Sequence, residues 1–213
     1  MLKRIAGSLG TTSQTLLLTM FLFLFGVTAR PCAAGGSPRS HDGGFFLRLS
    51  AGGGSAETKL EPGGSSAGDV KLSGFAGDYN FAVGGIVAEN LALHGTFFGW
   101  SISDPDVDLF GAMGTFKNST LTMGGLGGGI TYYVMPANVY LSPSIGFGIL
   151  SLDDSETDPG FALDATIGKE WWVGQSWGLG LAGSFGYHSI PDSEVNSSWK
   201  GPSFGLRFSA TLN

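Results

Sequence analysis

The chain has 213 residues, with 17 acids against 11 lysines and arginines and a formal charge of −6. That balance excludes a nucleic-acid binder built on a basic face, and a single cysteine excludes a disulfide framework. The 37 glycines follow no three-residue period, which excludes collagen; they alternate instead with Phe, Leu, Val, Trp and Tyr.

The first segment is unlike the rest. Lys3 and Arg4 precede a run from Leu16 to Val27 that is apolar except for Thr19, and Cys32-Ala33-Ala34 then supplies small residues. A positive start, a short apolar stretch and a small-residue site make a secretory signal. A membrane-spanning helix needs about 20 apolar residues. Residues 1–34 are therefore read as a cleaved signal peptide. Cys32 follows Ala29-Arg30-Pro31, which does not fit a lipid-acceptor site. Cleavage after Ala34 removes Lys3, Arg4 and Arg30, leaving 179 residues with a charge of −9. That is one domain's length. Residues 35–43 read as a flexible lead-in and 44–213 as the domain.

Apolar residues then recur at every second position, the period of a strand with two different faces. The first strand is expected over 44–52, followed by a Gly- and Ser-rich loop over 53–70. The second spans 72–88. A tight turn at Glu89-Asn90 leads to the third, 91–102. Residues 103–119 read as a second long loop, and 120–134 as the fourth strand. Pro136-Ala137-Asn138 turns the chain into the fifth, 139–151. An acidic loop covers 152–159, the sixth strand 160–172, a turn 174–176 and the seventh strand 177–189. A fourth loop spans 190–201 and the eighth strand 202–213. The connections alternate long and short without exception. Membrane barrels sort their connections this way, with short periplasmic turns and longer outer loops. The fold class expected is all-β: a closed antiparallel up-and-down transmembrane barrel of about eight strands.

The faces support this. Phe204, Leu206, Phe208, Ala210 and Leu212 alternate with Ser203, Gly205, Arg207, Ser209 and Thr211. Val139, Leu141, Ile145, Phe147 and Ile149 alternate with Tyr140, Ser142, Ser144, Gly146 and Gly148. A greasy face meeting lipid requires a backbone closed on itself, and eight strands leave a lumen just wide enough for side chains to fill. Four strand charges, Arg48, Asp164, Glu170 and Arg207, are placed in that lumen, with Arg48 and Arg207 near Asp164 or Glu170. Trp171, Trp172, Trp177, Tyr132 and Tyr133 cluster beside short turns. Tryptophan and tyrosine favour membrane interfaces, so these five are read as a periplasmic aromatic girdle.

On these features, with the segment GGIVAENLALHG (84–95) and a closing strand carrying Gly205 and Phe208, the chain resembles the OmpA/OmpX-type family of small outer-membrane barrels over 44–213. The resemblance implies an outer-membrane protein reached through the periplasm. Its expected partners are outer-membrane lipid, lipopolysaccharide and the assembly machinery, with a monomer expected and no nucleic acid. The chain departs from the family's closing pattern at Leu212-Asn213, where many members have Phe, and no peptidoglycan-binding domain is expected after the barrel.

Three constellations have residue types that suggest chemistry. His188-Ser189 has the residue types of an activated nucleophile, as in small barrels that deacylate lipid A, but adjacent strand residues face opposite ways. Asp104, Asp106 and Asp108 have calcium-loop spacing, but Leu109 and Thr115 stand where that loop needs Gly and Glu. The glycines of 124–130 lack the helix N-terminus a phosphate cradle requires. No catalytic, cofactor or metal residue is assigned. The function expected is a non-enzymatic structural or surface-interacting barrel, with a narrow channel for small or apolar solutes as the alternative and a lipid A hydrolase behind it.

Overall fold

A computed structural model describes residues 40–42, 44–62, 70–109, 111–193 and 197–212. The expected signal peptide, Cys32 and most of the expected lead-in lie outside the described residues. Among the described residues eleven strands follow one another: β1 (Gly44–Pro62), β2 (Val70–Ala88), β3 (Leu91–Ser103), β4 (Asp106–Leu109), β5 (Ala112–Thr115), β6 (Thr120–Val134), β7 (Val139–Leu152), β8 (Ser155–Glu156), β9 (Gly160–Trp172), β10 (Trp177–Asp192) and β11 (Ser197–Leu212). Eight long strands run β1-β11-β10-β9-β7-β6-β3-β2, and β2 pairs back with β1. Every pairing is antiparallel, so the chain is a closed eight-stranded barrel.

The strand parity sorts side chains into outward and inward sets. Outward residues form an apolar exterior: Leu126 is 68% exposed, Phe147 75% and Phe208 74%. Such a surface, unpaired with another sheet, is what a hydrocarbon solvent requires of a barrel wall. Three short connections, at Glu89-Asn90, Met135–Asn138 and Val173–Ser176, lie at one end with Gly44 and Leu212; this is the turn end. Asn90 and Asn138 adopt positive φ there (62° and 52°), a conformation asparagine tolerates well.

At the opposite, loop end the expected loops prove much shorter. β1 runs to Pro62 and β2 begins at Val70, so most of 53–70 is strand. The fourth loop shrinks likewise, because β10 reaches Asp192 and β11 starts at Ser197. Residues 103–119 form no open loop. β4 continues the line of β3 along β2, with Leu72 opposite Val107, and β5 pairs β4. Glycine, serine and charge resemble loop sequence because strand preference reflects packing on a half-buried face. Here the inward residues Ala56, Leu72, Val107 and Ile190 pack in the lumen while the outward ones are largely polar, and ladder hydrogen bonds hold that sequence extended. The tall wall made by β10, β11, β1, β2, β4 and β5 stands beside a low rim at β7–β9, where β8 folds back on β7.

The lumen is not uniformly small or polar, as the alternation had suggested. Its loop-end half is filled by Phe98, Trp100, Ile102, Leu121, Met123, Leu150 and Ile190. Strand β3 has large apolar residues on both faces, Phe97 outside and Phe98 inside, and this blurs the alternation locally.

Candidate functional site

The inward face of the barrel carries the charges, so the lumen is the site to build. In the middle of the barrel Arg207, on β11, uses all five of its N–H donors. Nε donates to Asp78 Oδ2 at 2.9 Å and Nη2 to Asp78 Oδ1 at 2.6 Å. Nη1 and Nη2 donate to Asp164 Oδ2 and Oδ1 at 2.9 and 2.7 Å, and Nη1 also donates to Thr166 Oγ1 at 3.0 Å. Two carboxylates thus grip one guanidinium in bidentate fashion, the strongest geometry such pairs have. Asn80 Nδ2 donates to Asp164 at 3.0 Å, and the Ser184 hydroxyl donates to Asp78. This layer ties β2, β9, β10 and β11 across the lumen.

Nearer the turn end Arg48, on β1, makes a second layer. Its Nη2 donates to the Tyr133 hydroxyl at 2.7 Å, its Nε lies 3.4 Å from Glu170 Oε1, and its guanidinium sits 3.9 Å from the centre of the Tyr140 ring. Thr211 donates to Glu170 at 2.6 Å, and Thr131 Oγ1 bonds both Ser142 (2.8 Å) and His94 Nε2 (3.0 Å). The structure therefore places Arg48 with Glu170 and Arg207 with Asp164, all four buried in the lumen. Asp78 is the member the sequence reading missed. Its signal was present: it shares parity with Asn80 and Ala82, opposite the outward Tyr79, Phe81 and Val83.

The turn-end mouth is closed by a residue from the lead-in. His41 is buried. Its backbone exchanges hydrogen bonds with Asn90, the carbonyl accepting at 2.7 Å and the N–H donating to Oδ1 at 3.0 Å. Its Nε2 is 2.9 Å from Asn138 Oδ1. Its ring stacks on Tyr133 at 3.6 Å and leans on Trp172 at 4.9 Å. One residue therefore touches all three short turns or their flanks, through its backbone at Asn90 and its ring at Asn138 and Trp172, and residues 40–42 are an anchor rather than a flexible lead-in. Replacing His41 with alanine removes a buried hydrogen bond and two ring contacts. The expected cost is about 1–3 kcal/mol, measured as a lower denaturation midpoint in detergent; an unchanged midpoint would make the anchor a bystander.

Two members of the expected girdle are corrected here. Tyr133 is buried in the lumen against Arg48, and Trp172 turns toward His41; neither lies on the outer wall. In a Tyr-Tyr or Trp-Trp pair, strand parity allows only one outward ring. Tyr132 and Trp171 are the outward ones, each 52% exposed, and Trp177 is half-buried at the same end. Lys169 Nζ lies 5.9 Å from the Trp171 ring.

The weighed constellations find structural uses. His188 points inward, its Nε2 2.8 Å from Thr58 Oγ1, while Ser189 lies on the other face. The three aspartates shape the β3–β6 hairpin: Asp104 accepts from Asn118 N–H, Asp106 from the Thr115 hydroxyl at 3.0 Å and Asp108 from Gly111 N–H at 2.8 Å. Outside the membrane-facing belt, a hydrogen bond from Ser193 holds the Asp158 carboxyl below the usual carboxylate range and links two loop-end connections.

No protein-family model and no curated protein matches the chain. Solved structures do, among them Neisserial surface protein A (17% identity, 80% of this chain and 97% of that one, TM-score 0.49). The outer membrane protein AlkL in lipid bilayers matches at 14% (87% and 95%, TM-score 0.45), and the outer membrane protein OprG from Pseudomonas aeruginosa at 14% (81% and 98%, TM-score 0.44). The latter two are outer membrane proteins by name. The likeness concerns the fold, and the barrel itself is established by the closed ladder described above.

Proposed function

We propose that this chain is a non-enzymatic outer-membrane barrel that keeps its lumen shut and works through its loop-end sheet. Residues 1–34 carry it to the periplasm, the turn end faces the periplasm, and the tall wall faces outward. The observation that carries the reading is the apolar outer wall of a closed barrel, with tyrosine and tryptophan at its turn-end border. Lipid, lipopolysaccharide and the assembly machinery are the partners such a protein meets. Three successive fillings of the lumen (the Arg48 layer, the Arg207 layer and the apolar cluster around Trp100) oppose the channel alternative.

Fractionation of expressing cells followed by electrophoresis with and without boiling tests this. The expected outcome is a product in the outer-membrane fraction whose mobility changes on boiling, and no steady conductance when it is placed in a planar bilayer. A soluble product with one mobility would remove the membrane reading. A stable open current would restore the channel.

A further inference from the structure

The register of the tall wall sorts its outer face into rows. One row, read across four neighbouring strands, is Phe185, Phe204, Ser55 and Phe75. Its phenylalanines are exposed, Phe75 to 79%. Four residues further toward the loop end the row reads Ser189, Lys200, Lys59, Lys71 and Asp108. That is about 13 Å along the strand at 3.3 Å per residue, and about 9 Å in height at a tilt of about 45°. Three lysines stand side by side on adjacent strands, although like charges directly opposite one another are destabilising. Only eight lysines and arginines follow Ala34 in a segment of charge −9, so three in one row is a concentration.

Carboxylates temper the row without balancing each lysine equally. Glu57 lies 2.7 Å from Lys71 and 3.7 Å from Lys59, and Glu61 lies 2.6 Å from Lys200. Asp108, at the end of the row, already accepts from Gly111. The Lys71 hydrogen bond holds Glu57 below the usual carboxylate range, and the Glu61 hydrogen bond raises Lys200, so these groups remain charged at neutral pH. Lys59, at the centre, has the longest contact and the most exposed side chain.

We propose that Lys59, Lys71 and Lys200 receive the phosphate of a membrane-lipid headgroup whose acyl chains lie on Phe75, Phe204 and Phe185 below. This rests on the outer-membrane reading. The source is a lipid rather than a free anion because the cationic row stands at headgroup height above the phenylalanine row on the same face, with the row of Tyr187, Pro202, Glu57 and Ser73 between them. Phosphate suits the site because ammonium groups bind it as point charges.

The test uses the folded barrel in detergent, titrated with purified phosphorylated lipid A, with dephosphorylated lipid A and with inorganic phosphate. The readout is the temperature at which the folded gel band is lost. Phosphorylated lipid A is expected to raise that temperature more than the dephosphorylated form, and inorganic phosphate to leave it unchanged. The Lys59→Gln/Lys71→Gln/Lys200→Gln variant is expected to lose the difference. Lys59→Gln alone, which leaves both short ion pairs intact, is expected to weaken the response several-fold and serves if the triple variant does not fold. An undiminished response in a folded variant overturns the proposal, as does an equal response to inorganic phosphate. A wild-type chain that never gives a folded band in the membrane fraction overturns the outer-membrane reading, and the headgroup site with it. A folded membrane barrel indifferent to phosphorylation overturns the site alone.

Discussion

Replacing Arg207 with methionine is expected to destabilise the barrel by about 3–5 kcal/mol, the cost of breaking a buried ion pair by removing one partner. The side chain is buried, and all five of its donors are engaged. Its loss would leave Asp78 and Asp164 facing one another with Ser184, Asn80 and Thr166 as neighbouring donors among the described residues. The measurement is the urea midpoint of the folded barrel in detergent, at constant slope so that it reports stability. Adding Asp78→Asn and Asp164→Asn to Arg207→Met removes the stranded charges and is expected to recover part of the loss. A single variant within about 0.5 kcal/mol of wild type, the range of ordinary surface changes, would mean that the network fills the lumen without holding it.

The second large effect is expected at the glycines where β6 meets β7. Gly127 and Gly146 are register partners. A Cβ at Gly127 would overlap the carbonyl oxygen of Ile145 and lie 2.7 Å from Gly146 Cα; one at Gly146 would overlap the carbonyl of Leu126. Backbone is the obstacle on both sides, so relief requires bending the ladder. Gly127→Ala is expected to cost about 3 kcal/mol, the upper end for overpacking, or to prevent folding. Gly183→Ala is the control: nothing lies within 4 Å of its added Cβ. That change is expected to be neutral or to stabilise by about 0.5 kcal/mol, because alanine restricts the unfolded chain. Equal midpoints for the two variants would remove the close-approach argument.

What could be read from sequence follows from the period-two geometry of strands. Alternation placed Phe204, Leu206 and Phe208 outside and Arg207 inside, and the long-short order of connections pointed to an even-stranded closed barrel. The same alternation would have found Asp78 had each residue of β2 been assigned a face. Parity would also have divided Tyr132 from Tyr133 and Trp171 from Trp172, which composition alone grouped together. The height of the loop-end strands was hidden for another reason. Residues such as Gly52–Gly54 and Ser55 owe their extended backbone to partners on β11 and β2, an arrangement local propensity does not report. His41 was illegible because its contacts lie 49 and 97 residues away, at Asn90 and Asn138.

The pairing of β1 with β11 joins Leu47 to Leu212 and Arg48 to Thr211, with nearly the whole described barrel between them. Contacts so distant in sequence are slow to form, since chain entropy is lost before they reward it. Until they form, the first and last strands each present a row of unsatisfied N–H and C=O groups that hydrocarbon cannot solvate. A half-built barrel therefore has no comfortable place in a bilayer, and insertion and closure become a single cooperative event. Arg48 and Arg207 lie on the two strands of that seam, so the Arg48–Glu170 and Arg207–Asp78 pairs, which span it, come together only as the cylinder shuts, whereas Arg207–Asp164 joins strands already neighbouring in the β9-β10-β11 meander.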